Sequence, residues 1–171
     1  MRYATIYPFD ISNGQGIRVS LFTQGCDKHC PGCFNSETWD FNSGKEFSYE
    51  TISEILRLAK PDWISGLSIL GGEPLNPKNI SEVAHICTTF KNKYPNKTIW
   101  IWTGYTFEEL KHMQNPYISI ILQNADYIID GPFIESEKDL SLKWRGSANQ
   151  HIWRKGGNKM SDRVDTWYCE E

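Results

Sequence analysis

The stretch Ile17-Arg18-Val19-Ser20-Leu21-Phe22-Thr23 runs directly into Gln24-Gly25-Cys26-Asp27-Lys28-His29-Cys30-Pro31-Gly32-Cys33-Phe34-Asn35. Its first half is rich in branched and aromatic residues and is launched from the turn Asn13-Gly14-Gln15-Gly16, which predicts a strand. Its second half sets Cys26, Cys30 and Cys33 at C-x3-C-x2-C spacing, tight enough for one loop to wrap a single metal centre. Three thiolates are one fewer than the four ligands that close a cubane iron–sulfur cluster or a structural zinc site. An open position on a metal is where a small molecule can bind and react.

Working outward, helix-like and strand-like segments alternate. Tyr49 to Lys60 has Ile52, Ile55, Leu56 and Ala59 on one face and is stopped by Pro61. Leu67 to Leu70 is a short buried-strand run ending in Gly71-Gly72-Glu73-Pro74. Asn79 reads as the cap of a helix whose stripe is Ile80, Val83, Ala84, Cys87 and Phe90. Thr98 to Trp102 is a strand, Thr106 to Glu109 is a capping box opening a third helix, and Tyr127 to Asp130 is a further strand. The segment Asn115 to Asn124 is ambiguous: Pro116 suits a helix start, whereas Tyr117-Ile118-Ser119-Ile120-Ile121 is strand-like. This rhythm predicts an α/β fold with a mainly parallel sheet, either open or curled into part of a barrel. Functional loops then sit at the carboxyl ends of the strands. The cysteine loop, the Gly-Gly-Glu-Pro turn and Thr103-Gly104-Tyr105 all fall there.

At 171 residues the chain is expected to be one domain, 1–171, with its core in about 1–155 and a solvated, flexible tail over 156–171. A net charge of -3 argues against nucleic acid and membrane surfaces as partners, since no basic face is evident. No apolar run approaches the roughly 20 residues of a membrane span. The first residues lack a signal-peptide pattern, so the chain reads as cytoplasmic. Five cysteines, three of them clustered, do not suggest a secreted disulfide framework.

Each motif has a plainer reading. The cysteines could form a structural zinc site with His29 or His151 as fourth ligand, or be three unrelated buried thiols. Cys87 reads as core and Cys169 has no assigned role. Gly71-Gly72 could be a tight turn that needs glycine's backbone, or a place where strand-end carbonyls and Glu73 meet an ammonium group. Trp144-Arg145-Gly146-Ser147-Ala148-Asn149-Gln150 could be a loop held by local hydrogen bonds, or could present Arg145 to a carboxylate on a cofactor or a partner.

Together, the cysteine loop and Gly71-Gly72-Glu73-Pro74 resemble the radical S-adenosylmethionine superfamily. Further runs narrow the resemblance: Tyr7-Pro8, Asn13-Gly14, Gly16-Ile17-Arg18, Trp100 to Thr106, Asp130-Gly131-Pro132-Phe133 and Trp144 to Gln150. They are similar to the activating proteins of anaerobic (class III) ribonucleoside-triphosphate reductases. The similarity runs from Tyr7 to about Gln150.

The resemblance implies an incomplete radical-SAM (βα) barrel of parallel strands with helices outside. It implies a 4Fe-4S cluster on Cys26, Cys30 and Cys33. It also implies S-adenosylmethionine with its amino-acid end on the open iron and on Gly71, Gly72 and Glu73. Gly32, Cys33, Phe34 and Thr103 are then candidates for the nucleoside side. One feature departs from the wider superfamily: Gly32 stands before the last cysteine where an aromatic is usual, and the aromatic is Phe34. The activating proteins share this shift, which points to the backbone of Gly32 to Phe34 as the adenine contact.

The implied reaction is one-electron cleavage of S-adenosylmethionine to methionine and a 5′-deoxyadenosyl radical. That radical takes hydrogen from a backbone glycine of the reductase. No acid–base side chain is required, so no catalytic side chain is named. The implied partners are the reductase and a low-potential electron donor such as flavodoxin. The alternatives are activation of another glycyl-radical enzyme of the formate-lyase type and, from a different class, a non-catalytic zinc or iron–sulfur binding module.

Overall fold

The structure is a computed structural model that describes residues 1–156 and 167–170. Their strands are β1 (Arg2–Asp10), β2 (Ile17–Gln24), β3 (Lys45–Glu46), β4 (Ile64–Gly71), β5 (Thr98–Trp102), β6 (Tyr127–Asp130), β7 (His151–Lys155) and β8 (Trp167–Glu170). Their helices are α1 (Tyr49–Leu58), α2 (Ile80–Lys93), α3 (Phe107–His112) and α4 (Pro116–Asn124).

Among the described residues all strands join one mixed sheet in the order β3-β1-β2-β4-β5-β6-β7-β8. The centre, β2-β4-β5-β6, is parallel, as the βα rhythm predicts. The flanks are antiparallel: β1 pairs with β2 and β3, and β7 pairs with β6 and β8. The expectation of parallel strands therefore holds for the centre and is corrected at both sides. The sheet does not close, since β3 and β8 end the order without joining. Of the expected tail, Trp167–Glu170 is strand β8, with Cys169 opposite Trp153. Residues 157–166 and 171 lie outside the described residues.

Alternation along the central strands sorts the two faces. Val19 and Leu21, Leu67 and Ile69, Ile99 and Ile101, and Ile128 form one core with the apolar stripes of all four helices. Cys87 lies inside that core, where burial pushes its thiol up to about 12. The opposite face carries Arg18, Phe22, Ser68, Leu70, Trp100 and Trp102. Trp100 packs there with Ile129 and Ile152, beside Trp102, Tyr127 and Trp144.

Arg18 is fully buried and ties this face together. Its Nε donates to Ser68 Oγ at 2.7 Å, Nη1 to Thr98 Oγ1 at 2.9 Å and Gln15 O at 3.2 Å, and Nη2 to the carbonyls of Leu67 and Thr98 at 2.8 Å each. Ser68 Oγ in turn donates to the Asn13 carbonyl at 2.6 Å, which fixes the turn between β1 and β2.

Among the described residues, no helix is long and apolar enough to cross a membrane.

Candidate active site

The cysteine loop begins where β2 ends. Gly25 takes φ +98°, and the Phe41 ring lies 2.1 Å from where a Cβ would stand, so only glycine fits. The segment after the loop folds back on it. Gly25 N donates to Thr38 O at 2.7 Å and Cys26 N to Trp39 O at 3.0 Å. Buried Gln24 clamps the same segment, donating from Nε2 to the carbonyls of Glu37 (3.2 Å) and Asp40 (2.9 Å). Inside the loop, Cys33 N donates to Cys30 O at 3.1 Å, and Asn35 N donates to Cys33 Sγ at 3.4 Å. Hydrogen bonds to cysteine sulfur are one means by which a protein sets a cluster's potential. Cys26 is buried, and burial, with Glu73 and Cys30 adding to it, raises its thiol above the ordinary range.

The Gly71-Gly72-Glu73 turn packs directly on this loop. Gly72 N donates to Thr23 O at 2.9 Å, and Glu73 N to Gly25 O at 2.8 Å. Glu73 is only 1% exposed. Its Oε1 accepts from Leu75 N at 2.9 Å and from Thr103 Oγ1 at 2.8 Å; its Oε2 accepts from Gly104 N at 2.7 Å. Burial raises the Glu73 carboxyl above its ordinary value, while these donors and nearby Lys28 pull the other way. Asn79 also serves this junction. It stands at the N-cap of α2, but its side chain makes no capping bond and instead donates to Gln24 O at 3.1 Å and Glu73 O at 3.0 Å.

Loop and turn open on one cavity of about 510 Å³ at the carboxyl rim of the parallel strands, within the usual size range of ligand pockets. Cys26, Cys30, Cys33, Phe34, Gly71, Gly72, Glu73 and Thr103 all line it. Gly32 does not. It takes φ +70° and faces the Glu135 carboxylate, which lies 2.7 Å from the Cβ position. Thr103 lines the cavity, and its hydroxyl donates to Glu73 and accepts from Tyr105 N at 3.2 Å. Phe34 is 53% exposed and packs on Phe133 at 5.1 Å, with Lys138 Nζ 4.9 Å above its ring.

Further lining residues had no site role assigned from the sequence, although all but Ser12 lie in runs that carry the resemblance: Ser12 and Asn13 from the β1–β2 turn, Trp102 from β5, and Trp144 and Gln150 from the loop before β7. Their spacing in sequence is unrelated, and only the sheet order brings them to one rim. His29 is exposed and lies outside this cavity, against Trp39 at 4.6 Å. His151 is on β7, beside Asp130 at 3.2 Å.

Among the described residues, no group of three His, Cys, Asp or Glu side chains is placed to hold a single metal ion. The three cysteines instead stand around a shared cavity. That placement fits a group with several metal atoms, each taking one thiolate, as in a cubane cluster.

The sequence profile of the 4Fe-4S single cluster domain family matches residues 12–153. The anaerobic ribonucleoside-triphosphate reductase-activating protein of Enterobacteria phage T4 is 41% identical over 155 residues, covering 90% of this chain and 94% of its own length. The protein of the same name from Vibrio cholerae is 42% identical over 156 residues, covering 90% and 98%. That from Escherichia coli K12 is 40% identical over 154 residues, covering 89% and 97%. The chain belongs to the family of anaerobic ribonucleoside-triphosphate reductase-activating proteins. In this member of the activating-protein family the domain match takes in the cysteine loop, the Gly71-Gly72-Glu73-Pro74 turn and Trp102 to Tyr105. Those three segments converge on the cavity.

Proposed function

We propose that the chain activates an anaerobic ribonucleoside-triphosphate reductase by placing a glycyl radical on it. It uses a 4Fe-4S cluster on Cys26, Cys30 and Cys33 together with S-adenosylmethionine. The observation that carries this reading is the meeting of the three cysteines, the Gly71–Glu73 turn and the end of β5 on one cavity. When bound, the cluster and S-adenosylmethionine supply the electron and the carbon radical of the reaction.

The residues of the chain hold and orient. Cys26, Cys30 and Cys33 would hold the cluster, and three thiolates for four irons would leave one iron for the cofactor. The Gly71-Gly72 turn, backed by buried Glu73, offers a backbone surface of negative character to the ammonium end of the cofactor. Phe34, Phe133, Trp102 and Trp144 form an apolar wall for the nucleoside and for the incoming glycine. The open sheet is read as an incomplete radical-SAM barrel whose unclosed side admits a macromolecule. A low-potential donor such as flavodoxin supplies the electron, and a reducing cytoplasm keeps the thiols free.

The test is anaerobic incubation of the reconstituted, reduced protein with S-adenosylmethionine and the reductase, read by electron paramagnetic resonance. A glycyl doublet on the reductase is expected. A doublet formed only on a formate-lyase type enzyme would reassign the partner.

A further inference from the structure

Arg145 lies on the loop between β6 and β7 and lines the cavity. The loop is built to be fixed. Trp144 takes φ +60°, a region that large side chains rarely adopt. It is held there by Trp102 Nε1 donating to its carbonyl at 2.7 Å and by edge contact of its ring with Trp100 at 4.8 Å. Gln150 braces the other side: Oε1 accepts from Gly146 N at 2.8 Å and Nε2 donates to Gly131 O at 3.0 Å.

The guanidinium that this loop carries is under-used. Of its five donors, Nη1 reaches Gln150 O at 3.0 Å, and Nε is buried without an acceptor. No acidic side chain among the described residues pairs with it. Arg18 shows what a structural arginine looks like in this chain, with five hydrogen bonds from Nε, Nη1 and Nη2. Arg145 Nη2 has no acceptor among the described residues and, unlike Nε, is not sealed off, so it is the donor that a ligand in the cavity can meet.

Among the described residues, one other cationic side chain, Lys28, lines the cavity. Its ammonium sits 3.7 Å above the Tyr105 ring, on the side of the cavity that holds Glu73. Arg145, with donors unused by the chain, is the cation whose geometry suits an anion. Its planar fork matches a carboxylate.

We propose that Arg145 binds the carboxylate of S-adenosylmethionine, in the same cavity whose Gly71–Glu73 turn takes the ammonium. This rests on the cofactor reading given under Proposed function. A carboxylate of the reductase is the competing source of the same chemistry.

Calorimetry on the cluster-loaded protein under anaerobic conditions separates these. The ligands are S-adenosylmethionine and its decarboxylated analogue, and iron content serves as the folding control. Arg145→Gln is expected to weaken S-adenosylmethionine at least about tenfold and Arg145→Lys less, because a point charge survives. Neither variant is expected to change the affinity of the decarboxylated analogue. Equal weakening of both ligands would mean that Arg145 only supports the loop, and would overturn the proposal. Unchanged S-adenosylmethionine affinity with weakened reductase binding would move the carboxylate to the partner and also overturn it. A wild-type protein that binds neither ligand would sink the cofactor reading itself, and this assignment with it.

Discussion

The Gly104 amide donates to Glu73 Oε2 at 2.7 Å, so the acid of the Gly-Gly-Glu-Pro turn is bonded to the loop that follows the neighbouring strand. Glu73 is thereby a strut as well as a charge. It joins the end of β4 to the end of β5, and its own amide joins that end of β4 to the cysteine loop through Gly25 O. Every group that Glu73 accepts from is a donor: two amides and a hydroxyl.

Glu73→Gln therefore has no comfortable orientation. One amide face can accept from Leu75 and Thr103, but the NH2 then points at the Gly104 amide. The expected cost is about 1–3 kcal/mol, the usual penalty for stranding a buried polar group. It would show as a fall in Tm of roughly 2–12 °C, at about 2–4 °C per kcal/mol for a chain of this size. Thr103→Val, which removes one of the donors, should cost less.

Gly72 and Gly131 separate a steric role from a conformational one. A Cβ at Gly72 would lie 2.5 Å from Gly25 O and 2.9 Å from Gly25 C, and backbone cannot step aside as a side chain would. Gly72→Ala should push the cysteine loop out of register and lower the iron retained after reconstitution. At Gly131 the nearest atom to a Cβ is 3.6 Å away, and only φ +91° is unfavourable. Gly131→Ala should cost about 1–2 kcal/mol and leave the iron content unchanged.

Arg18→Lys should be far more damaging than its conservative appearance suggests. A single ammonium cannot replace a fork that serves Ser68, Thr98, Leu67 and Gln15 at once. Burial draws the Arg18 guanidinium down to about 10, with Asp126 and Asp10 opposing, so it remains a cation at neutral pH. Breaking such a buried charged network costs about 3–5 kcal/mol. Denaturant unfolding should show the loss. Asn13, held through Ser68, should loosen at the cavity rim.

Acid should weaken the start of α3 in a way that one substitution reveals. Hydrogen bonds from the Thr106 amide and then the Thr106 hydroxyl hold the Glu109 carboxyl below its ordinary range. Its contribution is complete above the unfolded value of about 4.3 and is lost as pH falls through the lower folded value. Glu109→Gln should be less stable than the parent at pH 7, and the difference should vanish in strong acid. Urea titrations at both pH values check this.

The helices and the central strands were legible because period and punctuation agree there: Ile80, Val83, Ala84, Cys87 and Phe90 form one stripe, and all are buried. Asn115 to Asn124, ambiguous by pattern, is helix α4, with Asn115 Oδ1 accepting from Tyr117 N at 3.0 Å and Pro116 at the first turn. The antiparallel flanks were not legible. Pro8 argues against a strand in Arg2–Asp10, yet β1 accommodates it where the pairing with β2 shifts register between Tyr7 and Asp10. β3 has only two residues, and β7 carries only two apolar residues, Ile152 and Trp153.

At the site, the three cysteines and the glycine–glutamate turn were readable because short spacing fixes their neighbourhood. The surroundings of Gly32 and Thr103 were not readable, because proximity in sequence does not reveal which way a residue faces. Gly32 turns to Glu135, and the Thr103 hydroxyl turns to Glu73.

The central claim is a cluster held by three thiolates with one iron open to S-adenosylmethionine. The most direct measurement is the electron paramagnetic resonance spectrum of the reduced, reconstituted protein before and after S-adenosylmethionine is added, with released methionine assayed in parallel. The account predicts a cubane signal that shifts on addition, methionine release, and loss of both in Cys26→Ala, Cys30→Ala or Cys33→Ala. A colourless protein holding one tightly bound zinc, or a cluster signal indifferent to S-adenosylmethionine, would contradict it.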